Sequence, residues 1–321
     1  MNKEPQTLQE AIIYFSRLEN CIDYLVARRA DWKNGVVCPR CGNKTVSFLK
    51  NQSRWQCSKR HPKQQFSVKV GTIMEDSPIP LEKWMPAMWL IFNCKNGISS
   101  CEVARAIGIT QKSAWFMLHR IRLAQQGTNG GGKLGGEGNE VEVDETFIGG
   151  KSRNMHKDKR ARVITGTGGK DKTMVMGMLE RGGQVRAMVV ENRKRKELQK
   201  KIHEHVEAGA AIFSDELKSY NGLESDYQHA VINHAVEYVN GNVHTNGMEN
   251  FWSLLKRGLH GTYVSVEPFH LFRYIDEQAF RFNLRDMTDA ERFEIGITDI
   301  VNKRITYAEL TGKVGQTETI N

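Results

Sequence analysis

Two groups of side chains in this 321-residue chain have types and spacings suited to chemistry. The first is Cys38-Pro-Arg-Cys41 followed by Cys57-Ser-Lys-Arg-His61. Two close pairs separated by a loop supply four soft or borderline donors, the set a tetrahedral zinc ion takes. With all four positions filled by protein the ion would be structural, and a segment this small would fold only around it. His61 is the looser member, and its alternative is a basic surface residue beside Arg60. The second group is acidic. Asp144 lies in Val-Glu-Val-Asp-Glu-Thr-Phe-Ile, Asp215 ends the apolar run Ala-Ile-Phe-Ser, and Glu249 lies in Thr-Asn-Gly-Met-Glu-Asn-Phe-Trp. A charge inside a strand-like run flanked by Val143 and Phe147 needs a reason. Three carboxylates converging from two strands and a helix would make a hard, oxygen-lined pocket for two Mg²⁺ or Mn²⁺ ions. Two such ions about 4 Å apart serve phosphodiester displacement. Glu142 or Glu145 is an alternative to Asp144, and Glu216 to Asp215. Strand parity puts Glu142, Asp144 and Thr146 on one face.

These residues need elements to carry them. Residues 7–30 have helical spacing, with Thr7 and Glu10 as a capping box. Residues 34–73 are short, basic and turn-rich, with strand-like pieces at 46–49 and 65–70, as in a zinc-stapled ribbon. Residues 81–125 return to helical periodicity. Within them, 96–122 read as a helix–turn–helix: Ser99 and Glu102 cap the first helix, Gly108 turns, and Thr110 or Gln111 starts the second. Ala114, Met117, Leu118 and Ile121 should face inward. Gln111, Lys112, Trp115, His119, Arg120 and Arg122 should face out, toward phosphates and base edges. Residues 127–138 hold seven glycines and are expected to be a linker or long loop. Beyond them the pattern changes to strands. Residues 140–148 alternate, 173–180 and 184–190 form a hairpin around Arg-Gly-Gly, 195–207 are helical, and 210–213 are a short buried strand. Helices follow from about 247. If 244–256 is helical, Glu249, Trp252 and Lys256 share one side, and Lys256 can hold a substrate phosphate. The order describes a mixed sheet with helices packed on it.

Charge sharpens the picture. The chain carries a formal +9, but residues 1–126 hold 19 Lys+Arg against 9 Asp+Glu, and the remainder 27 against 28. The excess is confined to the front, and residues 33–74 contain no acid at all. Such a surface suits a polyanion. The basic stretches 151–172 and 193–196 are expected to touch a nucleic-acid backbone. No apolar run is long enough for a membrane helix, and no charged-then-apolar leader opens the chain. Six cysteines without a disulfide framework suit a reducing compartment. The expected location is therefore cytoplasmic.

On these residues the chain resembles DDE-type insertion-sequence transposases of the ISXO-type group, which carry an N-terminal zinc ribbon. The stretches that carry the resemblance are Cys38-Pro-Arg-Cys41-Gly42, Gln65-Phe-Ser-Val-Lys-Val-Gly-Thr72, Val143-Asp-Glu-Thr-Phe-Ile-Gly-Gly-Lys151, Ser214-Asp215 and the long motif over 237–263. It spans about residues 20–285. The resemblance implies a ribonuclease H-like catalytic fold, with acids at Asp144, Asp215 and Glu249. The 34-position gap between the last two is close to what such enzymes show. It also implies double-stranded DNA as partner, at element ends and target, and a homodimer or larger assembly in a bacterial, nucleoid-associated setting. His244 and Asn246 are kept as DNA-facing or supporting members, with Lys256, Trp252, Lys112, Arg120 and Arg122 as DNA contacts. His61 stands where many of the group have cysteine.

The expected organisation is α+β and multidomain: 1–75 N-terminal helices and zinc ribbon, 76–126 helix–turn–helix, 127–138 linker, 139–286 ribonuclease H-like domain, and 287–321 a tail with no readable content. The implied activity is binding of terminal inverted repeats, metal-dependent strand cleavage and strand transfer. The competing reading is a non-catalytic zinc-ribbon and helix–turn–helix regulator derived from such an enzyme.

Overall fold

The computed structural model describes residues 3–126, 132–150, 156–158, 172–232 and 244–313. The chain divides into two compact units, Met1–Gly127 with Asp286–Asn321, and Thr128–Arg285. Along the first unit run α1 (Leu8–Tyr14), α2 (Leu18–Arg28), β1 (Val46–Leu49), β2 (Arg54–Cys57), β3 (Gln65–Phe66), α3 (Leu81–Asn93), α4 (Ser100–Ile107) and α5 (Gln111–Gln125). The expected capping box at Thr7 and Glu10 starts α1, and the helical stretch breaks once before α2. The three strands form an antiparallel ribbon in the order β1-β2-β3. α3 buries nine of its residues, Trp84, Trp89 and Phe92 among them, so it is apolar nearly all round and sits at the centre of this unit.

The second unit holds β4 (Leu134–Gly135), β5 (Glu140–Ile148), β6 (Thr173–Glu180), β7 (Val185–Val190), α6 (Arg195–His205), β8 (Val206–Glu207), β9 (Ala211–Asp215), β10 (Gln228–Ile232), α7 (Asn246–Arg257) and α8 (Leu271–Asn283). Five strands make one mixed sheet, ordered β10-β9-β5-β6-β7. The β5-β6-β7 meander is antiparallel, while β9 runs parallel to β5 and β10 parallel to β9. Strand parity assigns the faces. Met174, Met176 and Met178 join Val141, Val143 and Ile212 in a core under α6, built on Leu198 and Ile202. Val175 and Leu179 turn the other way, onto Met248, Phe251, Trp252 and Leu255 of α7 and Ile275 of α8. The unit is thus a sheet between two helical layers.

Two expectations need correction. The glycine-rich stretch is not all linker: Leu134 is buried, and β4 pairs in parallel with β8. Gly135 explains the composition. It has φ +78, and a Cβ there would stand 2.8 Å from that of Ala210, so only glycine fits. Residues 127–131 of that stretch lie outside the described residues. The expected helix over 195–207 ends at His205, where the chain enters β8. The sequence reading also had no counterpart to β10.

After α8 the chain returns to the first unit as α9 (Asp289–Thr298) and α10 (Tyr307–Leu310), each opened by a Thr-x-x-Glu capping box. Phe293 of α9 lies 4.9 Å from Trp89, 5.6 Å from Phe15 and 5.7 Å from Tyr24, ring centre to ring centre. Among the described residues no helix is long and apolar enough to cross a membrane.

Candidate functional site

The ribbon brings its four predicted ligands together. The ligand atoms of Cys38, Cys41, Cys57 and His61 all lie within 4.8 Å of one another. Cys38 Sγ is 3.4 Å from His61 Nε2, and Cys41 Sγ is 3.7 Å from Cys57 Sγ. A tetrahedron with Zn–S bonds of about 2.3 Å has S···S edges of about 3.8 Å, so the spacing fits zinc. Local structure sets it up. Gly42, at φ +70, lets the backbone curl so that its N–H reaches Cys38 O at 2.8 Å. Asn43 donates to Cys57 Sγ, and His61 Nδ1 pairs with Pro62 O at 2.8 Å, which leaves Nε2 for the metal. The ribbon has a small aromatic core of Trp32, Trp55 and Phe66. It is tied down by Arg29, whose guanidinium donates to Val68 O and Val70 O.

The helix pair α4–α5 forms with the expected capping box at Ser99 and Glu102, Gly108 in the left-handed conformation and Thr110 as the second cap. Ala114, Met117, Leu118 and Ile121 are buried, as read. The outward set is partly wrong. Lys112 is exposed, but His119, Arg120 and Arg122 are buried. Arg120 donates to Glu75 O and lies over the rings of Phe116 and Trp84. Its burial lowers its pKa to about 10. A long stem covering apolar surface places arginine inside a helical face that a simple wheel assigns to solvent.

The acidic residues sit on three elements of the second unit. β5 and β9 pair in parallel with Glu142 opposite Phe213. Two residues further along each strand come Asp144 and Asp215, level with each other and on the same face as α7. Asp144 Oδ2 accepts the indole N–H of Trp252 at 2.9 Å, and its Oδ1 accepts the N–H of Glu145 at 2.8 Å. Burial raises the Asp144 pKa. The two hydrogen bonds act against that rise, and the charges of Asp215 and Glu249 add to it. Asp215 Oδ1 accepts the N–H of Leu217, which fixes the strand end. Glu249, in the first turn of α7, is exposed. Among the described residues these three carboxylates do not all come within 4.8 Å of one another, so as placed the group is open.

Trp252 corrects another expectation. The sequence places it among the DNA contacts, but its side chain is buried against β6 and its N–H is spent on Asp144. Gly177, opposite Asp144 on β6, makes this possible, since a Cβ there would stand 2.8 Å from the Trp252 ring. Lys256 is half-buried one turn beyond Trp252, and Asn246 is exposed at the start of α7. His244 is half-buried, with Nδ1 3.3 Å from Glu142 Oε1. Glu142, weighed as a stand-in for Asp144, is fully enclosed and pairs with Arg181 at 2.9 Å. Most of the basic stretch 151–172, and residues 237–243 of the long motif, lie outside the described residues.

The sequence reading passed over two groups. Tyr220 is fully buried in the turn after β9, and its hydroxyl donates to Glu145 Oε2 at 2.5 Å. Burial pushes the Glu145 carboxyl up to about 7. The Tyr220 hydrogen bond lowers it, while the charges of Asp215 and Asp144 raise it. Arg181, a turn residue by its place in Arg-Gly-Gly, contacts Glu140, Glu142 and His244. The one available signal was a lone arginine between an apolar strand and two glycines.

Comparison with known proteins adds to this geometry. Residues 133–283 match the model of the ISXO2-like transposase domain, and residues 19–59 match the transposase zinc-ribbon domain. Over 241 residues the chain is 25% identical to a protein in transposable element ISH50 of Halobacterium salinarum, covering 71% of this chain and 79% of that protein. A transposase-like protein of Haemophilus influenzae is 31% identical over 83 residues, which are 26% of this chain and 67% of that protein.

Proposed function

Because the chain belongs to the ISXO2-like transposase family, we propose that it is a DNA transposase that binds the ends of a mobile element, cuts a phosphodiester there and joins the freed end to target DNA. The observation that carries the reading is the level placement of Asp144 and Asp215 on adjacent parallel strands, with the Glu249 helix on the same face and Trp252 bridging to Asp144. The sheet, an antiparallel meander extended by two parallel strands, supports a ribonuclease H-like assignment.

Asp144, Asp215 and Glu249 would hold divalent magnesium or manganese. The donor set fits: all ligands are hard oxygens, and the half-buried Asp144 feels the charges of Asp215 and Glu249, an arrangement that a cation would relieve. When bound, such ions activate the attacking oxygen and neutralise the leaving one. The chain's own residues do the rest. Trp252 fixes the Asp144 carboxylate, Leu217 N–H fixes Asp215, and Lys256 offers a point charge to a substrate phosphate. Glu249, exposed in the first turn of α7, would supply the third carboxylate. Lys112 on α5, with Asn246 and His244 near the start of α7, are proposed DNA contacts. The zinc ribbon, with the basic excess of residues 1–126, is the proposed reader of element ends, working in a dimer or larger assembly.

The test is Asp144→Asn. It should abolish divalent-dependent nicking and strand transfer on element-end DNA while leaving end binding within about twofold. A variant that still cuts at the wild-type rate removes Asp144 from the site. If the wild type binds ends but neither nicks nor transfers with magnesium or manganese, the protein is a DNA-binding regulator instead.

A further inference from the structure

We propose that the buried pair of Glu142 and Arg181 is a positioning clamp that holds all three acid-bearing elements in register, and through them the carboxylate of Glu249. The inference rests on the reading of Asp144, Asp215 and Glu249 as the site. An ionised carboxylate as enclosed as Glu142 is unfavourable unless paired and hydrogen-bonded. It is satisfied on both oxygens. Oε1 accepts Arg181 Nε at 2.9 Å, and Oε2 accepts the N–H of Met248 at 2.9 Å. Met248 is the third residue of α7, so this N–H is one of the four that a helix leaves unpaired at its start. The usual supplier is the helix's own capping side chain, but Thr245 makes no such bond. A strand residue does it instead and puts negative charge at the positive end of the helix dipole.

Arg181 extends the clamp. Its guanidinium donates to His244 O at 2.7 Å and to Glu140 Oε2 at 2.7 Å, and lies over the Phe213 ring at 4.4 Å. The spacing of these partners is the core of the argument. Glu142 precedes Asp144 by two residues on β5, Phe213 precedes Asp215 by two on β9, and Met248 is next to Glu249 on α7. One cation therefore touches, directly or through Glu142, a fixed point just behind each acid. Gly247 completes the fit. A Cβ there would stand 2.8 Å from Glu142 Oε2 and 2.8 Å from Leu179 Cδ2, so only glycine lets the helix start come this close. Glu142 and Arg181 are positioning residues; neither is proposed to touch substrate.

The experiment uses the full chain. Arg181→Met should raise amide hydrogen exchange of Met248 and Glu249 by 10-fold or more while the amides of β6 stay protected. It should also raise the Mn²⁺ concentration for half-maximal cleavage by 5- to 20-fold, with the rate at saturating Mn²⁺ recovering to within about threefold of wild type. Arg181→Lys should restore part of both. A merely structural role would lower the melting temperature without moving the Mn²⁺ requirement of the folded fraction. Should Arg181→Met not fold, Gly247→Ala keeps every charge and should shift both readouts in the same direction. Unchanged exchange at Met248 and Glu249 in a folded variant overturns the clamp. If the wild type does not cut, the proposed function fails, and the exchange measurement still decides the clamp.

Discussion

Glu145 carries a pH-dependent liability. Its carboxyl is held at about 7 in the folded chain against an ordinary value near 4.5. Below pH 4.5 the group is protonated in both states. Between 4.5 and 7 the unfolded chain gives up the proton while the folded one keeps it, so stability falls as pH rises through this window. The loss is on the order of 3 kcal/mol at most for a shift of this size. Glu145→Gln keeps an acceptor for the Tyr220 hydroxyl and removes the titration. Metal-free Glu145→Gln should therefore gain stability over wild type progressively from pH 4.5 to 7.5, read as the difference between urea midpoints. Parallel curves for the two proteins would show that Glu145 does not titrate in this range. The sequence left Glu145 open as an alternative to Asp144. Strand parity resolves their environments, because Glu145 turns toward Tyr220 while Asp144 turns toward Trp252.

At the level of elements, α7 depends on two glycines, Gly177 and Gly247, whose purpose no local pattern reveals. Gly177→Ala would drive a Cβ into Met248 and the Trp252 ring. Overpacking of this kind costs about 1–3 kcal/mol, and here it also lifts the Trp252 N–H from Asp144. Gly177→Ala should show a lower urea midpoint together with a cleavage defect. Normal cleavage with lowered stability would mean that the Trp252 hydrogen bond is dispensable. The ribbon gives a second test. Cys57→Ser, or removal of zinc by a chelator, should unfold residues 38–66, seen as loss of amide protection there, and weaken DNA-end binding by at least 10-fold. Retained ribbon protection without metal would refute a folding role for the ion. Both elements were partly legible. Ligand spacing marked the ribbon, and the hairpin, the mixed sheet and the inward face of α5 followed from periodicity. The outward face of α5 was misread because amphipathic spacing cannot tell an exposed arginine from one like Arg120, which lies over aromatic rings and caps a carbonyl. β10 escaped because Gln-His-Ala-Val-Ile has too few alternations to stand out.

The whole molecule shows what a linear reading misses. The last described helices carry no chemical motif beyond their capping boxes, yet α9 supplies a central piece of the first unit's core. Its partners Phe15, Tyr24, Trp89 and Phe92 lie some 200 to 280 positions away in the chain, and contacts of that separation leave no periodic trace. The fit is close. Gly296, one turn beyond Phe293, would drive a Cβ into the Phe92 ring, so α9 approaches α3 as nearly as a helix can. An antiparallel bridge between Thr72 and Val301 and the bond from Ile73 N–H to Ile300 O fasten the returning segment further. Phe293→Ala removes a fully buried ring from among four aromatic side chains and should destabilise the first unit by about 3–5 kcal/mol. The effect should appear as raised hydrogen exchange in α2 and α3, together with a lowered unfolding midpoint. The same substitution should reduce DNA binding only in proportion to the unfolded fraction, because no residue of α9 is assigned to DNA. Unchanged protection of α3 in Phe293→Ala would mean that the N-terminal helices form their core without the returning segment. The motif-free end of the chain would then be an appendage and not part of the first unit's foundation.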